Sequence, residues 1–307
     1  MEKPKIVVIC GPTASGKSSA ALELAQHLGA EIINADSMQV YKYMDIGTAK
    51  PSSEERRLVR HHLIDILYPD EEFSAALFRE EARQTIAEVS AREKKAMVVG
   101  GTGLYIKALT SGLIRGGEVD PAIRSRLQAE AQAKGRENLY RRLEEVDPAA
   151  ASRLHPHDTY RIIRALEVYE RTGRPISALR QTHLFQEEPY HVLKIGLMTE
   201  RGNLYQRIDV RVDAMIRKGL REEVRHLLEM GYTSTIKAMQ SLGYKQMVAH
   251  LQGEYDLAEA TRRIKRDTKR YAKRQITWFK ADTKIHWAAY PKNREAVFRM
   301  IEGFLRN

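Results

Sequence analysis

Ile6-Val7-Val8-Ile9-Cys10 runs directly into Gly11-Pro12-Thr13-Ala14-Ser15-Gly16-Lys17-Ser18, and the next apolar positions, Ala20, Ala21, Leu24, Ala25 and Leu28, fall at helical spacing. A short buried strand, a glycine-rich turn and a helix in that order are the setting of the G-x-x-x-x-G-K-[ST] phosphate-binding loop. The residue types explain the chemistry. Glycines let backbone N–H groups turn inward around an anion, and the start of the helix adds its positive end. Lys17 brings a charge, and Ser18 a hydroxyl suited to Mg²⁺. Residues 11–18 are therefore expected to hold a diphosphate, and the loop does not say which one.

Glu31-Ile32-Ile33-Asn34-Ala35 reads as a second strand that ends at Asp36-Ser37-Met38-Gln39, so strand, helix and strand alternate and predict a parallel sheet. Ligands of such sheets collect where the strands end, which puts Asp36 beside the phosphate loop. There its carboxylate could take a proton from a nucleophile, or simply cap the turn that follows. Gly47-Thr48-Ala49-Lys50-Pro51 leads into a helix begun by Ser52-Ser53-Glu54-Glu55. His61 to Ile66 reads as a third strand, Ser74 to about Arg92 as a serine-capped helix, and Ala96 to Val99 as a fourth strand. That strand enters a second glycine-rich turn, Gly100-Gly101-Thr102-Gly103-Leu104-Tyr105, and two such turns on one sheet edge predict two walls of one cleft. The fold class is α/β, a parallel sheet of the P-loop NTPase kind flanked by helices.

The pattern changes near Arg115-Gly116-Gly117. From Asp120 to about Thr182 every segment reads as helix, which predicts an all-helical insertion over 116–189 within a core formed by 1–115 and 190–307. Strand pattern resumes at His191 to Leu197, and Lys284-Ile285-His286-Trp287 reads as an edge strand.

A formal net charge of +11 over 307 residues points to a polyanionic partner. Nine cations crowd Thr261–Lys280: Arg262, Arg263, Lys265, Arg266, Lys269, Arg270, Lys273, Arg274 and Lys280. Within the run only Asp267 opposes them, and Tyr271, Trp278 and Phe279 are interleaved. Charge for phosphates beside flat rings for unstacked bases is what looped RNA requires. Arg161 and Arg164 could join that surface or pair with Glu167 or Glu170. The single cysteine, Cys10, excludes an internal disulfide. His61, His62, His155, His157 and Asp158 lack metal-site spacing. No apolar run is long enough to span a membrane, so a cytosolic protein without a membrane partner is expected. No strand ends in a convincing Mg-binding Asp of the ATPase type. A P-loop kinase using Asp36 as base and a non-catalytic RNA-binding NTPase both remain open on these residues alone.

Taken together, Gly11–Ser18, Asp36-Ser37-Met38-Gln39-Val40-Tyr41, Met44-Asp45-Ile46-Gly47-Thr48-Ala49-Lys50-Pro51, Gly100–Tyr105, Arg164-Ala165-Leu166-Glu167, Gly243-Tyr244-Lys245-Gln246 and Lys273-Arg274-Gln275-Ile276-Thr277-Trp278 resemble the bacterial tRNA dimethylallyltransferases over nearly the whole chain. The resemblance implies transfer of a dimethylallyl group from dimethylallyl diphosphate to N6 of the adenine 3′ of the anticodon. On that reading Gly11, Pro12, Thr13, Ala14, Ser15, Gly16, Lys17 and Ser18 hold an allylic diphosphate in place of ATP, with Mg²⁺ on Ser18. Asp36 is implied as the base, Arg211 as a cation for the leaving group, and Thr13 as a donor to the bridging oxygen. Asp36, Ser37, Met38, Gln39 and Thr102 are implied to meet a flipped adenine. Arg124, Tyr160, Arg161, Ile162, Ile163 and Arg164 of the insertion are implied contacts to the anticodon stem-loop. So are Gly243, Tyr244, Lys245, Gln246, Arg274, Gln275, Trp278, Phe279 and Lys280. A monomer with no obligate protein partner is expected.

Overall fold

The computed structural model describes residues 3–113, 120–183 and 187–306. The elements in chain order are β1 (Lys5–Cys10), α1 (Lys17–Leu28), β2 (Ala30–Asn34), α2 (Ser53–Leu58), β3 (His61–His62), α3 (Ala75–Ala91), β4 (Lys95–Gly100) and α4 (Gly103–Ser111). There follow α5 (Pro121–Lys134), α6 (Arg136–Val146), α7 (Pro148–Ala151), α8 (Thr159–Thr172) and α9 (Ile176–His183). The last group is β5 (His191–Leu197), α10 (Arg201–Arg217), α11 (Leu220–Glu229), α12 (Tyr244–Leu251), α13 (Leu257–Lys280), β6 (Ile285–Ala288) and α14 (Arg294–Arg306).

The six strands form one sheet in the order β3-β2-β4-β1-β5-β6, and every pair is parallel. A parallel sheet is covered on both faces, and the period-two alternation of β1 shows how. Ile6, Val8 and Cys10 point into one core, with Phe78, Leu109, Ile208 and Tyr244. Val7 and Ile9 point into the other, with Leu24, Ala25 and Ile301. Cys10 is fully buried in the first of these, and burial pushes its thiol up to about 12, which keeps it protonated.

The chain crosses from β1 to β2, returns to β4 between them, and then moves to β5 on the other side of β1. The turns after β1, β2 and β4 consequently open at the carboxyl edge where the order reverses, which is the crevice that binds ligands in such sheets. The expected third strand is shorter than its sequence suggests. Pairing stops at His62 because Leu63 (φ 59°) and Asp65 (φ 56°) take left-handed conformations that break the ladder. The expected strand near Ile285 is present as the edge strand β6.

The chain divides into two compact units, Met1–Thr110 with Pro189–Asn307, and Ser111–Glu188. The Arg115-Gly116-Gly117 boundary read from the sequence lies outside the described residues. The second unit is helical throughout its described residues, with its own core of Leu127, Leu139, Leu143, Ile162 and Leu166. Its helices start where side-chain caps dictate. Asp120 accepts from the amides of Ala122 and Ile123 with Pro121 at the first helical position, and Asp158 accepts from that of Arg161. Among the described residues no helix is long and apolar enough to cross a membrane.

Candidate active site

The turn after β1 is held open by its own backbone. Gly11 (φ 146°) passes so close to β5 that a Cβ there would lie 2.4 Å from the Leu197 carbonyl oxygen. Ala14 (φ 62°) and Gly16 (φ 90°) are left-handed, and α1 starts at Lys17 with no side chain capping its first amides. Those amides are free for an anion. Lys17 reaches back across the turn, its Nζ donating to the Pro12 carbonyl at 3.0 Å.

The second glycine-rich turn is joined to the first by one side chain. Gln275 of α13 accepts from the Thr13 amide at 2.8 Å and donates to the Gly101 carbonyl at 2.9 Å. Space for it exists because residue 101 has no side chain, since a Cβ there would lie 2.4 Å from the Gln275 amide nitrogen. Gly103 makes room for Trp278 in the same way, at 2.1 Å. Thr102 Oγ1 accepts from the Ser37 amide at 3.1 Å, tying this turn to the one after β2.

Asp36 performs the turn-capping role that its type allows, with Oδ1 accepting from the Met38 amide at 2.9 Å. Oδ2 receives no hydrogen bond from the described residues and remains for the cavity that Asp36 lines. That cavity, of about 860 Å³, is also walled by Thr13, Lys17, Ser18, Ser37, Met38, Gln39, Arg211, Gly243, Tyr244, Lys245, Arg274 and Gln275. Many candidates read from the sequence therefore share one chamber.

Two cations of that chamber are held below their ordinary values. Burial, and after it the like charge of Arg211, lowers Lys17 to about 8, while the Asp36 carboxylate pulls it back up. Arg211 of α10 is lowered from its ordinary value by burial, again opposed by Asp36. Tyr271 is raised by burial first and by the charge of Asp36 second. An anion nest with two buried cations shares the chamber with a carboxylate oxygen that has no partner among the described residues. Such an arrangement can hold a polyphosphate, stabilise a departing oxyanion and accept a proton.

The cation run on α13 differs from its sequence reading, because α10 and the helix's own first turn supply acids that the sequence pattern does not reveal. Lys265 pairs with Asp213 and Lys269 with Asp209 at 2.7 Å, while Glu259 takes both Arg262 and Arg263. Asp267 takes Arg266 and Arg270. Among the described residues Lys273, Arg274 and Lys280 have no carboxylate partner, and Arg274 lies over the Tyr271 ring. In the helical unit Arg164 and Arg124 both bond the fully buried Glu167, and Arg161 bonds Asp158. Tyr160 is 68% exposed, with the Arg124 guanidinium 5.8 Å from its ring centre.

Several residues expected to contact RNA have buried side chains, Gln275 described above among them. Ile162 and Ile163 belong to the core of the helical unit, because α8 is amphipathic and they lie on its apolar stripe. Phe279 is core on α13, whereas Trp278 beside it is exposed. Gln246 is buried, accepting from the Gly243 amide and donating to Asp267. Tyr244 is fully buried and its hydroxyl donates to Glu223. In this structure these side chains pack or brace, and Tyr244 also lines the cavity.

Sequence reasoning missed Arg207, whose guanidinium would lie 3.9 Å from a Cβ at Gly16 and so stands beside the phosphate loop. It sits one helical turn before Arg211, which is the signal that could have found it. It also left Tyr271, Arg266 and Arg270, which line the cavity, as an undifferentiated run, because spacing alone does not say which helix faces a chamber.

A family profile described as IPP transferase matches residues 39–282. A tRNA dimethylallyltransferase of Geobacter metallireducens is 55% identical over 303 residues, covering 99% of this chain and 98% of its own. Among solved structures, the full-length tRNA isopentenylpyrophosphate transferase from Bacillus halodurans superposes with a TM-score of 0.74 at 40% identity, covering 99% of this chain and 97% of that one. A eukaryotic dimethylallyltransferase captured acting on tRNA gives a TM-score of 0.81 at 29% identity, with coverage of 97% and 78%. The profile match over most of the chain, together with relatives matched along nearly its full length, places this protein in the IPP transferase family, among the tRNA dimethylallyltransferases.

Proposed function

We propose that the cavity transfers the dimethylallyl group of dimethylallyl diphosphate to N6 of the adenine 3′ of a tRNA anticodon. The observation that carries this reading is the free Oδ2 of Asp36 in the same chamber as Lys17, Arg211 and the loop amides. The adenine amine is a poor nucleophile because its lone pair is delocalised into the ring. As that lone pair bonds to the allylic carbon, the carbon–oxygen bond breaks and its electron pair leaves with the diphosphate. The N6 proton passes to Asp36 Oδ2. Thr13 directs the diphosphate, while Lys17, Arg211 and the first amides of α1 take up the charge that grows on the leaving oxygen.

Ser18 is exposed toward the cavity and suits Mg²⁺, an ion that typically takes one protein oxygen plus phosphate and water oxygens. Among the described residues no cluster of three or more His, Cys, Asp or Glu offers a separate metal cage. When bound there, the ion would add positive charge at the diphosphate.

The target base has to leave its stack to enter a chamber of this kind. Ser37, Met38, Gln39 and Thr102 line or brace the wall beside Asp36, and Arg274 and Lys245 stand on the wall formed by the later helices. Exposed Trp278 and Lys280 supply a ring and charge for the stem-loop, and the helical unit by itself exposes Tyr160 and Arg161.

The test is incubation with labelled dimethylallyl diphosphate plus tRNA and, separately, with labelled ATP. Label appearing on tRNA adenine only from the prenyl donor is expected, and phosphoryl transfer without prenyl transfer would overturn the reading. The charge pairing makes a second prediction. Removing Lys273, Arg274 and Lys280 together should make the slope of log affinity against log salt shallower by about 2. Removing Arg262 and Arg263, already neutralised by Glu259, should change it by less than about 1. Equal changes in a filter-binding salt titration would show that the internal pairs open on RNA.

A further inference from the structure

Glu223 lies on α11 outside every motif read from the sequence and does not line the cavity, yet its carboxylate gathers four donors from two distant segments. A carboxylate is usually met by cations; here Glu223 Oε2 accepts from the amides of Asp45 at 2.9 Å and Ile46 at 2.7 Å. Oε1 accepts from the Gly47 amide at 3.0 Å and the Tyr244 hydroxyl at 2.6 Å. Tyr244 completes the clamp with its ring, since a Cβ at Gly47 would fall 2.5 Å from it.

The clamped turn carries onward to the cavity wall. Thr48 and Ala49, the next two residues, offer their carbonyls to Gln39 Nε2 at 3.1 and 3.2 Å, and Gly47, Thr48, Ala49 and Gln39 all line the chamber. At its far end the turn is fixed separately by Lys50, whose buried ammonium bonds the Tyr41 carbonyl, Asp45 and Asp65. Glu223 thus ties the wall bearing Gln39 to the helices that follow β5, while the phosphate loop has its own tie through Gln275.

We propose that Glu223, braced by Tyr244, is a positioning residue that sets the nucleobase-side wall of the cavity and leaves the diphosphate side untouched. This rests on the reading of the cavity as a prenyl-transfer site. Uncharged N–H and O–H donors hold the carboxylate, so Glu223→Gln keeps the size while setting an NH₂ group against one pair of donors. Tyr244→Phe removes one donor and keeps the ring.

In Glu223→Gln, kcat/KM for tRNA is expected to fall on the order of 30-fold, as small misplacements of a reacting group do. The Kd for dimethylallyl diphosphate should stay within about twofold, since the clamp does not touch that side. Amide hydrogen exchange at Asp45, Ile46 and Gly47 should quicken in the same variant. Tyr244→Phe should move all three readouts the same way by less, and Glu223→Asp should recover part of the tRNA loss. Parallel loss of diphosphate affinity and tRNA turnover, or faster exchange with tRNA kinetics unchanged, would overturn the proposal. Absence of prenyl transfer by the unaltered protein would instead overturn the functional reading, and the unaltered protein is assayed alongside.

Discussion

Asp36→Asn is expected to lower kcat by about 10³-fold while tRNA affinity stays within a few-fold, in the range seen when a positioned general base is lost. The asparagine is the informative substitution because Asp36 has two jobs on two oxygens. Oδ1 accepts from the Met38 amide and shapes the turn carrying Ser37 to Gln39, and an asparagine carbonyl can keep that bond. Oδ2 has no partner among the described residues, and the amide that replaces it cannot take a proton from the adenine amine. Asp36→Ala removes both and should additionally loosen the turn, so tRNA affinity is expected to weaken more than in the asparagine variant. Single-turnover prenylation with labelled donor, run beside a binding titration, separates the two. Turnover in Asp36→Asn within tenfold of the unaltered protein would remove Asp36 as the base.

Arg211→Ala is expected to reduce kcat by about 10²- to 10³-fold, the usual cost of losing one donor to a developing oxyanion. It should also move a pH limb. With Lys17 lowered to about 8, the free protein loses that ammonium as pH rises through 8, so kcat/KM for dimethylallyl diphosphate should fall above that pH. Bound diphosphate favours the charged form and pushes the lysine up again, so the corresponding limb in kcat should lie at higher pH. Burial is the first cause of the low value and survives the substitution; the like charge of Arg211 is the second and is removed. The kcat/KM limb of Arg211→Ala should therefore lie at higher pH than that of the unaltered protein. A limb that stays near 8 would mean that Arg211 and Lys17 do not act on each other in the working enzyme.

Local rules account for what could be read from the chain directly. The alternation in β1, the glycines at 11 and 16, and the capping residues Ser52, Ser74, Asp120 and Asp158 each act over a few residues, so the sequence states them outright. Asp36 was legible because position in a parallel sheet follows from element order. Even the strand that proved too long failed for a local reason, the left-handed Leu63 and Asp65, which no hydrophobic pattern encodes.

What tertiary structure alone decided is which distant group each polar side chain meets. The sequence by itself determined a phosphate loop, a parallel sheet, a helical unit and the identity of the cations. It could not show that Asp209 and Asp213 neutralise Lys269 and Lys265, that Gln275 bridges the two glycine-rich turns, or that Glu223 clamps Asp45 to Gly47 across 176 to 178 positions. Helical periodicity tells which face of a helix is polar and not which element packs against it. Hydrogen bonds and ion pairs depend on distances of about 3 Å, which only the packed sheet and helices set.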